Sequence, residues 1–451
     1  MSSPLAPDAL AGFQRALAAA LAVPSGLDES ALVDSLRALE ELVSTASAAQ
    51  AALSVELDAS LRAAAAAAGV PAAEQGRGVG HVVAHARRES PHRGQRHLGL
   101  AKVTLAELPH TWAAWRSGRV SEWMVTIIAR ETACLSLEHR LLLDEQFAAD
   151  ADVLEAMGPG ELAGKLRAAA DELDPEAAVK RRRSAESDRR VSLRPAPDTM
   201  AWLGALLPVK DGVAVLAALE QEAASARARG DERTRGQVMA DALVDRVAGR
   251  GRDGDQSDHR PGAAEGPAPA APAIQLGLVM SDHALFGGSD EPAHLTGFGP
   301  IPAELASEIV ADALAKGEEL WLRRLYAHPE SGQLVQADSR ARLFPRTLGR
   351  LIRLRDQVCR TPWCQAPIRH VDHVANHARG GATSIDNAQG LCESCNHAKQ
   401  AHRWHTTAHP DGTVTTTHPT GHRQLTRPPR WSATITTREI PRLTVDFVLS
   451  A

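Results

Sequence analysis

The stretch from Cys359 to Lys399 constrains the fold more than any other, because it carries four of the five cysteines in the chain at paired spacing. It reads Cys359-Arg-Thr-Pro-Trp-Cys364, then Arg369-His-Val-Asp372-His373. Gly380-Gly-Ala-Thr383-Ser-Ile-Asp-Asn387 follows, then Leu391-Cys392-Glu-Ser-Cys395-Asn396-His397-Ala-Lys399. A C-x4-C pair and a C-x2-C pair make two knuckles, and four thiolates at that spacing suit one tetrahedral zinc ion. The other reading, four buried unpaired thiols, leaves the spacing unexplained.

Charge distribution adds to this. The chain of 451 residues has a formal charge of −5, which by itself does not suggest a nucleic acid partner. From Arg340 to His405, however, eleven Arg and Lys stand against four Asp and Glu, a net +7, so the remainder carries −12. A basic module on an acidic chain is the footprint expected where one end meets phosphates, although a basic face can also be merely solvated. No segment reaches the ~18 uncharged apolar residues that a membrane span requires. The short apolar run Leu17–Val23 follows Asp8 and Arg15 rather than a basic cluster, which argues against a secretory signal. Cysteines committed to a metal, with Cys134 left over, fit a reducing cytoplasm.

The ordered set of Cys pairs, Asp372-His373, Gly380-Gly381, Thr383, Asn387, Leu391, the second Cys pair, Asn396 and Lys399 resembles the HNH, or ββα-metal, nuclease motif in its zinc-stabilised form. The resemblance covers roughly residues 345 to 405. It implies a structural zinc on Cys359, Cys364, Cys392 and Cys395, and His373 as the general base that takes a proton from the attacking water. An imidazole with an ordinary pKa near ~6.5 suits that task. It further implies that Asp372 ligates one catalytic divalent ion, Mg or Mn, a hard cation for a hard oxygen. Asn387 would fix the loop that orients His373. The residue after the last cysteine would complete the metal site, and here it is Asn396 where many relatives carry His. His397 is a candidate substitute, though one step along a helix turns it about 100° away. Arg369 and Lys399 would contact the DNA backbone, with the metal-site helix as the alternative neighbour of Lys399. His370 and His377 read as solvated loop residues.

Hydrolysing a phosphodiester needs an activated water on one side and charge neutralisation on the departing oxygen on the other, and these residue types supply both. The function expected is thus a metal-dependent endonuclease acting on DNA. The alternative is a zinc-containing DNA-binding or scaffold protein that descends from such a nuclease and no longer cuts, a reading to which Asn396 gives weight.

Upstream the pattern is helical. Leu32, Leu36, Leu39, Val43, Ala46, Leu53 and Leu57 keep the alternating four-three spacing, broken only by Gln50, within one long helix from 28 to about 70. It reads either as a helix packed in its own domain or as the seam of a coiled-coil homodimer. Breaks at Ser90-Pro91, Pro109, Ser117-Gly118 and Gly158-Pro-Gly160 separate further helices to about Asp174. Trp112, Trp115 and Trp123 are expected in their core. Lys180-Arg-Arg-Arg183 with Arg189 and Arg190 reads as a solvated face or a secondary DNA contact. Val215, Leu216, Leu219, Ala223 and Ala226 form one stripe. Thr234 and Gln237 form a capping box that starts a second, with Ala240, Leu243, Val244 and Val247. Arg233-Thr-Arg, Ala240-Asp-Ala-Leu243, Gly297-Phe-Gly-Pro-Ile-Pro302 and the overall layout resemble an all-α domain of uncharacterised role that precedes HNH modules in many actinobacterial proteins. That resemblance brings no catalytic residues.

The organisation expected is mainly α: an N-terminal segment 1–27, a helical domain 28–248, a disordered linker or insert 249–273 and a mixed continuation 274–345. The zinc-bound ββα module 346–405 and a β-rich tail 406–451 complete it. Within these, Ile274–Met280 and Leu443–Leu449 read as strands, Tyr326–Val335 as a hairpin, and Gly412–Gly421 as a small hairpin. The tail would extend the basic surface through His418, His422, Arg423 and Arg427.

Overall fold

The computed structural model describes residues 5–21, 26–248, 277–285, 289–315, 344 and 346–429. The chain divides into two compact units, residues 1–87 with 92–179, and residues 88–91 with 180–451. The linker expected at 249–273, the hairpin Tyr326–Val335 and the strand Leu443–Leu449 lie outside the described residues.

The first unit carries α1 (Pro7–Ala20), α2 (Glu29–Ala67), α3 (Val79–Arg87), α4 (Pro91–Glu107) and α5 (Pro109–Arg116). It continues with α6 (Glu122–Thr132), α7 (Leu137–Ala148), α8 (Ala151–Ala156) and α9 (Pro159–Leu173). Prolines open α1, α4, α5 and α9, where the missing N–H costs nothing and the fixed φ is already helical. Asp28 caps α2 by accepting a hydrogen bond from the Ala31 N–H at 2.8 Å, and the helix then runs for 39 residues. Its core face is made of small residues, Ser44, Ala48, Ala51 and Ser54, with Asp58. Small side chains let α5 come close, so that the Trp115 indole N–H donates to Ser47 Oγ at 2.8 Å. The same closeness explains Gly118, whose φ is +84° and where a Cβ would meet the Glu41 carbonyl oxygen at 2.6 Å.

Trp115, Leu108, Val125, Ile127, Ile128 and Leu162 are buried at the centre of this unit. Asp144 on α7 caps α5 from outside, accepting from the His110 N–H at 2.7 Å, the Thr111 N–H at 3.0 Å and the Thr111 hydroxyl. That answers a need the sequence leaves open, because Leu108 at the N-cap offers no acceptor. One expected core residue is corrected. Trp112 packs edge-on to Trp115 with centroids 5.9 Å apart, but Trp123 is 53% exposed. On α6 it is Met124, Val125, Ile127 and Ile128 that turn inward.

After α10 (Pro175–Ser187) the chain forms an antiparallel hairpin of β1 (Arg190–Pro195) and β2 (Ala201–Leu206), in register from Arg190 opposite Leu206 to Pro195 opposite Ala201. This hairpin interrupts the helical domain expected over 28–248. Next come α11 (Val209–Ala228) and α12 (Arg235–Ala248), which meet through Ala223, Ala226 and Val238. The apolar stripes expected there are buried only in part: Val215, Leu216, Val244 and Val247 are exposed. The capping box forms, with the Gln237 N–H donating to Thr234 Oγ1 at 3.3 Å and the Thr234 N–H to Gln237 Oε1 at 2.9 Å. A three-stranded sheet of β3 (Leu278–Val279), β4 (Ala293–Leu295) and β5 (Gly299–Ile301) follows, with α13 (Asp282–Leu285) between β3 and β4 and α14 (Ala303–Ala315) after β5.

The last part is α15 (Arg346–Asp356), β6 (His370–His373), β7 (Ala388–Leu391) and α16 (Glu393–Lys399). A sheet of β8 (His405–Ala408), β9 (Val414–Thr417) and β10 (Arg423–Thr426) follows, with β9 in the middle. A mostly helical region followed by a small β-rich module is the fold class expected. The tail sheet exposes His422, Arg423 and Arg427. His418, expected on its surface, is buried with its ring on Trp404 at 4.8 Å between centroids. Among the described residues no helix is long and apolar enough to cross a membrane.

Candidate functional site

The four sulfurs converge. Their ligand atoms lie within 4.8 Å of one another, and Cys364 Sγ is 3.7 Å from both Cys392 Sγ and Cys395 Sγ. Zinc–sulfur bonds of about 2.3 Å in a tetrahedron place sulfurs about 3.8 Å apart, so the spacing fits one ion, and it is far too long for a disulfide. Backbone bonds shape the knuckles: the Cys359 N–H donates to Ala366 O at 2.8 Å and the Arg360 N–H to Gly390 O at 2.9 Å. Trp363 and Gln365 sit at φ of +58° and +50°, left-handed conformations that cost non-glycine residues on the order of 1 kcal/mol each. Contacts from Cys364 and Cys395 draw the Cys359 thiol down to about 7, despite the opposing Cys392 contact and burial. Cys392 falls below the thiol range through contacts with Cys359, Cys364 and Cys395. Cys364 and Cys395 are pushed up, the first chiefly by Cys359 and Cys392 and the second chiefly by Cys359 and Cys364. Four crowded sulfurs without a cation cannot all ionise; with zinc they would all be thiolates.

β6 and β7 form the hairpin above this knot, pairing His370 with Leu391 and His373 with Ala388. Asp372 and His373 are consecutive on β6, so their side chains leave opposite faces, and the structure does not bring them into contact. His373 is 8% exposed, its ring 4.5 Å from that of Phe344 and 5.4 Å from that of His377. Its Nε2 lies 2.8 Å from Thr383 Oγ1, and Thr383 is buried. Burial pushes the His373 imidazole below its ordinary pKa; Asp372 opposes this, and His377 and Lys399 reinforce it.

Asn387 braces the loop after β6. Its Oδ1 accepts from the Ala375 N–H at 2.7 Å, and its Nδ2 donates to Ala375 O at 3.0 Å and Ala382 O at 2.7 Å. Gly381 fits under that brace because a Cβ there would fall 1.9 Å from Ala375 O.

On the other face α16 meets β6. Lys399, expected at the DNA backbone or the metal-site helix, sets its ammonium against the Asp372 carboxylate and the His373 carbonyl oxygen. Burial pushes its pKa down and Asp372 holds it up. Asn396 Oδ1 is buried with no hydrogen-bond partner among the described residues. A buried acceptor left unmade costs about 1–3 kcal/mol, and a divalent cation would satisfy it; the oxygens of Asp372 and Asn396 are a donor set that fits such an ion. His397 is exposed and His370 likewise, while Arg369 stays exposed at the start of the hairpin.

Sequence reasoning missed a network that ties the module together. Asp356 is buried and accepts from Arg355 Nε at 2.7 Å, Arg360 Nη1 at 3.1 Å and the Gly390 N–H at 2.6 Å. Arg355 also donates to Ile385 O and Ala388 O, each at 2.7 Å. Arg360 reaches Gly412 O and Thr426 O at 3.2 Å, which docks the tail sheet on the first knuckle. Two of the arginines counted as basic surface are therefore internal. The available signal was the Arg-Asp-x3-Arg spacing beside Cys359; for Thr383 it was only its place in the motif.

A two-stranded hairpin and a short helix wrapped on four thiols define the zinc-knuckle ββα class of module. Comparison with known proteins agrees: residues 357–402 match the HNH endonuclease family. Residues 36–356, most of the chain, match the domain of unknown function DUF222, and the chain belongs to that family. It is similar to the uncharacterized protein Rv3776 of Mycobacterium tuberculosis H37Rv, 28% identical over 378 residues that cover 76% of this chain and 69% of that one. It is also similar to the uncharacterized protein Rv2100 of the same strain, 27% identical over 406 residues, 79% of this chain and 70% of that one. No solved structure matches.

Proposed function

We propose that this protein is a metal-dependent HNH endonuclease that hydrolyses DNA phosphodiesters. The observation that carries the reading is the joint presence of the tetrathiolate knot and a hairpin that delivers a buried imidazole, held by Thr383, at the end of β6. Asp372 and Asn396 would hold one Mg or Mn ion, which when bound supplies Lewis-acid stabilisation of the charge on the leaving oxygen. With Nε2 engaged by Thr383, Nδ1 of His373 is the nitrogen that takes the proton from water. The depressed pKa keeps that nitrogen unprotonated near neutral pH. Asn387 keeps the loop in register, and Phe344 excludes water from one side of the ring. Arg350, Arg353, Arg369, Arg379 and Arg403 are exposed and supply the phosphate-facing charge.

Cleavage of supercoiled plasmid with Mg or Mn tests this. His373→Ala should lose about 10²–10⁴-fold in rate, the usual worth of a positioned general base. Equal cleavage by wild type and His373→Ala, or none by either with any metal, rejects the enzyme. The second reading, a zinc-bound DNA-binding protein that does not cut, is favoured by Lys399 standing against Asp372. It predicts salt-dependent retardation of DNA without cleavage.

A further inference from the structure

α2 carries two stripes, and its own domain uses one. Ser44, Ala48, Ala51, Ser54 and Asp58 are buried. The four-three series from Leu32 to Leu57 lies about a third of a turn around the helix from them, with Leu36 67% exposed and Val43 61% exposed. With Leu36 and Val43 at position a of a heptad, the series fills every a and d from 32 to 57 except Gln50, and the core-facing residues fall at b, e and f. A helix that only rests on its domain needs one stripe of period 3.6. A second stripe repeating every 3.5 residues is what two helices need to wind around each other.

The stripe also says what covers it. Leu32 to Leu57 spans about 39 Å at 1.5 Å per residue, so its partner is a helix of similar length. Among the described residues the next longest helix, α11, has 20 residues; α2 has 39. The matching helix is α2 of a second chain. The flanking e and g positions carry only two charges, Glu40 and Glu56. In a parallel, in-register pair Glu40 meets Ser35 of the copy and Glu56 meets Leu61, so no like charges oppose. Gln50, the one polar a position, then faces Gln50 of the copy, amide to amide; the antiparallel register would set it against Leu39. A single polar a residue is a known way to fix register.

We infer that α2 is a homodimerisation helix, joining two chains in a parallel two-stranded coiled coil along Leu32–Leu57. The inference is independent of the nuclease reading. Light scattering on the full chain should give about twice the 47.9 kDa of one chain. The double variant Leu36→Glu, Val43→Glu should fall to half that mass with helical content and melting temperature unchanged, since neither residue is in the core. Leu36→Cys should cross-link copy to copy under mild oxidation. A wild-type monomer at micromolar concentration, or a dimer that survives the double variant, overturns the proposal. So does a dimer that survives the double variant but disperses when residues 1–21, including the amphipathic α1, are removed, which would make α1 the interface. A dimer without the Leu36→Cys cross-link overturns the parallel arrangement.

Discussion

Trp115 and Cys395 are both almost wholly buried, yet they hold their regions together by different physics. Around Trp115 the first helical unit closes on itself with apolar side chains from several helices, and its buried acidic groups are matched locally: Asp144 caps α5, Asp58 pairs with Arg62 and Lys102, and Glu131 with Arg130 and Arg167. Around Cys395 the apolar cluster is essentially the cysteines with Leu391 and Ala366, and the core next to it, Leu348, Leu351, Ile352, Ile385 and Ala388, is smaller than that of the helical unit. Four sulfurs and the Asp356 network supplement that small core. One region is therefore stabilised by many small, interchangeable contributions, the other by a few large ones that fail together.

Removing the metal should break that contrast most visibly. A structural zinc contributes apparent binding free energy on the order of 10–16 kcal/mol near neutral pH, so chelation or Cys395→Ser should expose residues 357–429 to protease while helical content survives. One zinc per chain by metal analysis, and none in the variant, is the accompanying expectation. A module that stays protease-resistant without metal would erase the distinction.

Next in size is the internal network. Asp356→Ala leaves the Arg355 and Arg360 guanidiniums buried without their carboxylate and should cost about 3–5 kcal/mol, read as a lower unfolding midpoint of the module. If the tail sheet depends on Arg360, proteolysis between 405 and 426 should rise in the same variant. In the helical unit Trp115→Ala should cost a similar ~3–5 kcal/mol in chemical denaturation. Trp123→Ala, on the same helical sequence pattern but facing water, should change stability by less than about 0.5 kcal/mol. Equal losses from the two tryptophans would mean that α6 turns Trp123 inward.

Much of the site was legible before any fold. The Cys spacing alone announced a common ion, because thiol chemistry and tetrahedral geometry leave few other uses for two knuckles in forty residues. The long helix, its heptad series and the Thr234–Gln237 capping box were legible for the same kind of reason: they are local, set by spacing along one chain. The charge count was legible and misleading. It summed Arg355, Arg360 and Lys399 with the surface arginines, because a sequence gives the sign of a side chain and not whether a carboxylate already holds it.

Periodicity and ligand chemistry along the chain set a helical region, a heptad stripe on α2, and a four-thiol module with an imidazole and a carboxylate consecutive in sequence. Tertiary structure decided the facing of those groups. It sent His373 to Thr383 and Phe344 and Asp372 to Lys399, left Asn396 Oδ1 without a donor among the described residues, and turned Trp123 outward and His418 inward. Which face a side chain takes depends on partners that lie far away in the chain, and only packing brings those partners together.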